Sequence, residues 1–88
     1  MNLNRQHLAL LRSLETDPLS LLMISSEAMR CPAAVLFEHG IVERVGDLCF
    51  LTDFGKRLAL YCRRFRPESG VSIPDEDWSS LRDGTVPQ

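Results

Sequence analysis

Three cysteines and two histidines are the side chains with the most evident capacity for chemistry in this chain. Cys31, Cys49 and Cys62, with His39 as a fourth ligand, would supply the thiolate and imidazole groups that bind zinc. No Cys-x-x-Cys or His-x-x-x-His pair provides the local clamp of such sites, and the cysteines are odd in number. The simpler interpretation is three reduced thiols in a small core, without a metal.

Catalysis has little support in the remaining residues. His7 and His39 lie on different predicted helices, and the chain has no Gly-rich phosphate loop and no nucleophile motif. Eighty-eight residues make one domain that buries only roughly 60–65 per cent of its unfolded surface, which leaves little room for a large enzyme pocket. We therefore predict a protein that is not an enzyme, with no catalytic residues and no cofactor.

Composition is ordinary for a globular protein, at 44% hydrophobic and 25% charged residues. No apolar run approaches the roughly 20 residues that span a bilayer. The first seven residues are polar where a signal peptide needs an apolar stretch. These features predict a soluble, cytoplasmic protein with no membrane partner.

A tight β-hairpin is predicted around Gly46 and Asp47, with strands at residues 41–45 and 48–52. Glycine at the first central position of a two-residue loop favours a type II′ turn. A helix follows, capped by Thr52 or Asp53. Its apolar face holds Phe54, Leu58, Tyr61, Cys62 and Phe65, and the opposite face holds Lys56, Arg57, Arg63 and Arg64 with Leu60 exposed among them.

The first forty residues are predicted to form three helices. Asn2 or Asn4 caps the first, which runs to about residue 15 with leucines along one side. Asp17 followed by a proline predicts a second helix at residues 18–29. Pro32 should break that helix and start a third at residues 32–39, which ends at Gly40 in the left-handed position typical of helix ends.

Two stretches carry a resemblance to a known family. Residues 36–44, Leu-Phe-Glu-His-Gly-Ile-Val-Glu-Arg, and residues 51–56, Leu-Thr-Asp-Phe-Gly-Lys, resemble the recognition-helix end and post-wing helix start of winged helix-turn-helix regulators of bacteria, archaea and phages. The resemblance implies a mainly α fold with a small β-hairpin: three helices, a two-stranded wing and a C-terminal helix. It covers about residues 4–66, so we expect a winged-helix domain at residues 1–66.

The same resemblance implies a DNA-binding transcription regulator, with the third helix in the major groove of double-stranded DNA and the wing against the backbone or minor groove. A homodimer would suit that function. The expected nucleic-acid-binding residues are Arg30, Arg44, Lys56, Arg57, Arg63 and Arg64. The alternative for the last four is a solvated helix face whose cations complement the helix dipole.

The remaining residues, 67–88, form an acidic extension in which five carboxylates accompany a single cation. Residues 67–70 are predicted as a linker, and a short helix is predicted near residues 75–82. Trp78 and Leu81 would share one side of it. They either fold back onto the domain or serve as a dimer arm or a partner-binding motif.

A second class of function is therefore kept open. A winged helix can be used for protein–protein interaction, as an adapter, an assembly subunit or a phage-type inhibitor of a host complex, without binding DNA. The third helix, with Pro-Ala-Ala-Val-Leu-Phe at residues 32–37, offers few groups that hydrogen-bond to base edges. The expected partner-binding residues are Phe37, Leu60, Trp78 and Leu81.

Overall fold

Five α-helices and two small antiparallel sheets build a mixed α/β architecture. The computed structural model describes residues 1–87. In chain order the elements are β1 (Asn2–Leu3), α1 (Arg5–Thr16), β2 (Leu19–Ser20), α2 (Leu21–Ile24), α3 (Arg30–Glu38), β3 (Val42–Val45), β4 (Leu48–Leu51), α4 (Asp53–Cys62), a 3₁₀ turn (Pro67–Ser69), β5 (Val71–Ser72) and α5 (Asp75–Asp83).

Helix α1 begins where the sequence places a capping residue. Asn4 Oδ1 accepts the backbone N–H of His7, and His7 Nδ1 accepts the backbone N–H of Asn4, both at 3.0 Å. Partial burial lowers the pKa of His7, which favours the neutral ring that can accept this bond. The leucines of α1 face inward, with Leu11 only 1% exposed. The prediction for this helix is confirmed, with Asn4 as the cap.

The predicted helix at residues 18–29 is wrong. Asp17 has an extended backbone and ends α1. Leu19 and Ser20 then pair with β4 as the short strand β2, so their backbone groups bond to a sheet and not to a helix. Ser20 Oγ accepts the backbone N–H of Met23 at 3.2 Å and starts α2, which has four residues.

Helix α3 begins two residues before Pro32, at Arg30. The proline is its third residue, where the missing N–H has no partner inside the helix, so the first turn accommodates the ring. The predicted start at residue 32 is thus late by two residues. The predicted end is confirmed, because Gly40 follows the helix with φ +71°.

The three-stranded sheet has the order β2-β4-β3, and β3 and β4 form the predicted hairpin. Val45 pairs with Leu48 across the two-residue turn, and Gly46 has φ +62°. No non-glycine residue among those described has a positive φ, so the turn fits type II′. Side chains alternate across the hairpin: Cys49 and Leu51 are buried, and Leu48 and Phe50 point to the opposite face.

The capping residue of helix α4 also bonds to the segment between α3 and β3. Thr52 Oγ1 accepts the backbone N–H of Gly55 at 3.0 Å and donates to the backbone oxygen of Gly40 at 2.6 Å. Leu58 is fully buried and Leu60 is exposed, as predicted. Phe65 lies beyond the helix end and is 38% exposed, so its predicted place on the buried face is wrong.

The C-terminal segment packs into the same core as the rest of the chain. Strand β5 pairs with β1, and the backbone N–H of Ile73 donates to the Met1 oxygen at 2.7 Å. Leu81 on α5 is fully buried. The Trp78 ring meets Phe54 edge-on at 5.1 Å and His39 at 5.7 Å between centroids. The predicted short helix is confirmed, and it folds back onto α4 and onto His39, the residue that follows α3.

Candidate interaction surfaces

Arg57, predicted to bind nucleic acid, is used inside the fold. Its Nε donates to the backbone oxygen of Leu81 at 2.7 Å, and a terminal nitrogen donates to that of Arg82 at 3.5 Å. These oxygens belong to the last turn of α5, where a cation also complements the helix dipole. Arg57 therefore holds α5 against α4, and its donors are directed away from an external ligand.

Arg63 and Arg64 also contact their own chain. Two guanidinium nitrogens of Arg63 donate to Glu15 Oε2 at 3.1 and 2.6 Å. Arg64 lies 5.0 Å above the centre of the Tyr61 ring and donates to the backbone oxygen of Pro87. The Arg63 side chain is 64% exposed, so water screens its ion pair. Three of the four cations in the predicted basic patch, Arg57, Arg63 and Arg64, are thus engaged in intramolecular contacts.

The other three predicted cations come from three different elements and are exposed. Arg30 is the first residue of α3, and Lys56 lies in the first half of α4. Arg44 sits on β3, where its Nε donates to the backbone oxygen of Gly46 at 2.8 Å. Among residues 1–87, no side-chain hydrogen bond or ion pair engages Arg30 or Lys56. These three side chains keep N–H groups that could donate hydrogen bonds to a phosphate.

The outward side of α3 is poor in groups that read bases. Its exposed residues are Arg30, Cys31, Ala34 and Glu38. Bidentate base contacts need Arg, Lys, Asn or Gln, and only Arg30 belongs to that set. The exposure of Cys31 corrects the expectation that all three cysteines lie in the core.

The predicted partner-binding residues have very different exposures. Leu60 is 49% exposed, whereas Leu81 is fully buried and offers no surface to a partner, which corrects the prediction for this residue. Phe37 and Trp78 are half-buried and pack against the core. Trp78 packs α5 against the rest of the fold, since its ring contacts both Phe54 and His39.

The outer face of the hairpin is apolar, a feature that the sequence-based site prediction missed. Val45 is 61% exposed and Leu48, its cross-strand partner, is 42% exposed. Phe50 is half-buried on the same face. We call Val45, Leu48, Phe50 and Leu60 the apolar face. The unbroken apolar run Leu-Cys-Phe-Leu at residues 48–51 was the available signal, since a strand with one solvated face alternates with polar residues.

A groove of about 640 Å³ runs along this face. The end of α1, the two residues between α1 and β2, the hairpin and α4 form its walls. Its apolar lining includes Leu14, Pro18, Val45, Phe50 and Leu60, and its charged lining is Glu15, Asp17, Glu43 and Lys56. Three carboxylates thus accompany one ammonium group at the groove. Among residues 1–87, Glu15 has a cationic partner, and no hydrogen bond or ion pair engages the side-chain carboxylate of Asp17 or Glu43.

A separate exposed apolar side chain lies on α2, beside the turn of the hairpin. Leu22 is 85% exposed, the highest value among the large hydrophobic residues. It lines a second cavity, of about 430 Å³, together with Asp47. The backbone N–H of Leu21 donates to the Asp47 oxygen at 2.8 Å, so α2 is fixed beside the turn.

The buried cysteines are suited to packing. Burial, and to a smaller extent the charge of Glu15, raise the pKa of the Cys62 thiol to about 11. Burial also raises the pKa of Cys49. Across the described part of the chain, no three His, Cys, Asp or Glu residues are placed to hold a metal ion. His39 contacts the Trp78 ring, so the zinc alternative gains no geometric support.

Tyr61 should make the stability of the fold depend on pH in the alkaline range. Burial, together with its 2.7 Å hydrogen bond to Asp77, raises the pKa of the phenol to about 12, while Arg64 opposes the shift. The folded protein keeps this proton at a pH where the unfolded chain, with an ordinary tyrosine pKa near 10, has lost it. The free energy of unfolding should therefore fall as pH rises from about 10 to about 12.

The chain has one tyrosine, so phenolate absorbance in the ultraviolet reports Tyr61 alone. We expect the absorbance change well above the ordinary tyrosine pKa, and urea denaturation over the same pH series should give the loss of stability. Tyr61→Phe should reduce the pH dependence, with the Cys62 thiol accounting for the remainder. A phenolate signal near pH 10 in protein that is still folded would contradict the prediction.

Comparison with known proteins gives no relative from which a function could be transferred. No protein-family model matches the chain, and neither the curated proteins nor the solved structures provide a significant match. Among residues 1–87, no helix has both the length and the apolar character needed to cross a membrane. Functional interpretation therefore depends on the surfaces described above.

Proposed function

We propose that this protein is a winged-helix protein–protein interaction module that acts in the cytoplasm. The order helix, strand, helix, helix, hairpin, helix supports the fold, as does the pairing of β2 with β4. The family resemblance of residues 36–44 and 51–56 supports it as well. Free thiols at Cys31, Cys49 and Cys62 favour a reducing compartment.

The observation that carries the proposal is the apolar face. Three of its four residues, Val45, Leu48 and Leu60, are between 42% and 61% exposed. Contiguous exposed apolar residues beside a groove are a frequent mark of protein interaction sites. An adapter, an assembly subunit or an inhibitor of a larger complex would use such a face.

Charge also favours a protein partner over nucleic acid. Arg57, Arg63 and Arg64 are engaged in intramolecular contacts, which lowers the number of cations available to phosphates. The groove adds three carboxylates, and the whole chain has a net charge of −2. Phosphate binding needs an excess of accessible positive charge, so the surface opposes DNA binding.

A second candidate function is a DNA-binding transcription regulator. It is favoured by Arg30, Arg44 and Lys56, which are exposed, and by the family resemblance of the sequence. Arg30 is the first residue of α3 and Arg44 lies on the hairpin, the two elements that contact duplex DNA in a winged helix. In that case binding would rest on phosphates more than on bases, because α3 exposes few groups for base contact.

Fluorescence anisotropy of a labelled random-sequence duplex, titrated at low and at physiological salt, separates the two candidates. We expect no binding at high micromolar protein even in low salt. Binding that weakens steeply with salt, and that is lost in Arg30→Glu with Arg44→Glu but kept in the control Arg12→Glu, would establish the regulator function instead.

The protein-contact proposal has a direct test in site-specific photo-crosslinking within an extract of the source organism. A benzoyl-phenylalanine at position 60 should give one discrete adduct that unlabelled wild-type protein competes away. The same label at exposed position 12, on α1, should give none. If neither position gives a competed adduct, or if both give the same one, the apolar face is not the binding surface.

A further inference from the structure

We infer that the groove along the apolar face binds an amphipathic helix of a partner protein whose polar side carries lysine or arginine. This inference rests on the proposed function and adds the chemistry of the partner. It follows from three features: the shape of the surface, its charge and the elements that lie around it.

The surface is the uncovered side of a sheet. Cys49 and Leu51 of β4 face the core, while Val45, Leu48 and Phe50 face outward into the groove or beside it. An apolar sheet face is normally covered by a second layer, most often a helix in mixed α/β proteins. No element of residues 1–87 supplies that layer. A helix from another protein, with apolar residues three and four apart, fits this kind of groove.

Charge selects among the possible occupants. Three carboxylates border the groove: Arg63 pairs with that of Glu15, and no cation of the described chain pairs with those of Asp17 and Glu43, beside which Lys56 is the one cation of the lining. The groove therefore attracts positive charge, and a helix with lysine or arginine along its polar edge would pair with these carboxylates. A helix with acidic edges would place like charges together and be rejected.

The same charges argue against other occupants. In an isologous dimer through this face, the unpaired carboxylates of Asp17 and Glu43 in one copy would meet those of the other, against one Lys56 from each copy. Anionic lipid surfaces and duplex DNA carry the same sign as the groove and are repelled as well. A basic, amphipathic protein segment is the occupant that satisfies both the apolar lining and the charge.

The test uses three synthetic helical peptides with the same leucine pattern, whose polar positions are lysine, glutamine or glutamate. Each is titrated into the ¹⁵N-labelled full chain and followed by amide chemical shifts. The lysine peptide should bind about tenfold more tightly than the glutamine peptide, and the glutamate peptide should not bind. The shifts should concentrate at residues 14–18, 43–50 and 56–60.

Variants locate the site and test the charge argument separately. Leu60→Asp should abolish binding of the lysine peptide, whereas Leu22→Asp, at an exposed position outside the groove, should leave it unchanged. The double variant Asp17→Lys with Glu43→Lys should lose the lysine peptide and bind the glutamate peptide. The amide spectrum of each variant shows that it is folded, so a loss of binding cannot come from unfolding.

Several results would overturn the inference. Equal binding of the lysine and glutamate peptides would do so, as would shifts confined to α5 or an unchanged affinity in Leu60→Asp. Association of the chain with itself in sedimentation, lost in Leu60→Asp, would assign the groove to a second copy. Failure of all three peptides together with a competed adduct at position 60 would reject the basic helix while leaving the protein-contact proposal standing. Salt-sensitive DNA binding would reject that proposal itself.

Discussion

Gly55→Ala should destabilise the protein by about 3 kcal/mol or prevent folding. A Cβ at this position of α4 would lie 2.1 Å from the backbone oxygen of Ile41 and 3.2 Å from Leu51 Cδ2. The Ile41 oxygen cannot move aside freely, because it accepts the backbone N–H of Thr52 at 3.0 Å. The helix and the start of the hairpin are therefore in backbone contact, and only glycine leaves space for it.

A loss of stability in Gly55→Ala would be opposite in sign to the usual effect of this substitution in a helix. At an ordinary position inside a helix, alanine in place of glycine stabilises by about 1 kcal/mol. Urea denaturation of wild type, Gly55→Ala and Gly46→Ala gives the comparison. Gly46 has φ +62° but open space around its Cβ position, so its alanine variant should lose only about 1–2 kcal/mol. A Gly55→Ala variant as stable as wild type would mean that α4 and Ile41 lie further apart than described.

Leu81→Ala should cost about 3 kcal/mol of unfolding free energy. Leu81 is fully buried on α5, and Ile73, which precedes the helix, is 2% exposed. Truncation leaves a cavity that the surrounding side chains fill only in part, because Arg57 and the Trp78 ring hold α5 in place. The loss should appear as a shift of the single transition and not as a separate early one.

Leu60→Ala is the matched control, since it removes the same atoms from a side chain that is 49% exposed. It should change stability by less than about 0.5 kcal/mol. Thermal and urea unfolding, followed by Trp78 fluorescence and by far-ultraviolet circular dichroism, should give coincident transitions for all three proteins. If Leu81→Ala matched Leu60→Ala, or if Trp78 became exposed before the helices unfolded, α5 would be an appendage and not part of the core.

Local signals in the sequence predicted the elements whose backbone bonds are satisfied locally. Asn4 and Thr52 each cap a helix with their own side chain, and each is one of the two capping residues that were predicted for its helix. Gly40 and Gly46 each adopt the positive φ that their positions required. The hairpin is confirmed because a two-residue turn fixes the register of its strands.

The failures arise where distant residues compete for the same backbone. Asp17 and the following proline resemble a helix start. Leu19 and Ser20 nevertheless bond to β4, some thirty residues later in the chain, so helix α2 begins only after them. Nothing within residues 17–29 could report that partner. The two-strand prediction for the sheet likewise omitted β2, since a two-residue strand has no periodicity to detect.

The candidate site was only partly predictable for a related reason. Leu60 was expected to be exposed and is, but the fate of each arginine depends on what lies opposite to it. Arg57 meets the end of α5 and Arg63 meets Glu15, contacts separated by 24 and 48 residues along the chain. A charge pattern alone does not distinguish such bonds from a surface that awaits phosphates.

The pairing of β1 with β5 has a consequence for the order in which the protein folds. Leu3 and Val71 are register partners in a two-stranded sheet, so this sheet closes a loop that contains most of the chain. Closing a loop of that length from the unfolded chain costs on the order of 4 kcal/mol of entropy, which two short strands cannot repay alone. The sheet therefore forms after α1, α3 and α4 have brought its strands together.

During synthesis, Leu3 therefore has no strand to pair with until β5 has left the ribosome. Four side chains from the two ends of this loop and from α5 are at most 6% exposed in the folded protein: Leu3, Val71, Ile73 and Leu81. Before β5 and α5 are in place, Leu3 and the side chains that Ile73 and Leu81 cover remain in water. The nascent chain is most vulnerable to aggregation and proteolysis in this interval, before β5 and α5 cover that part of the core.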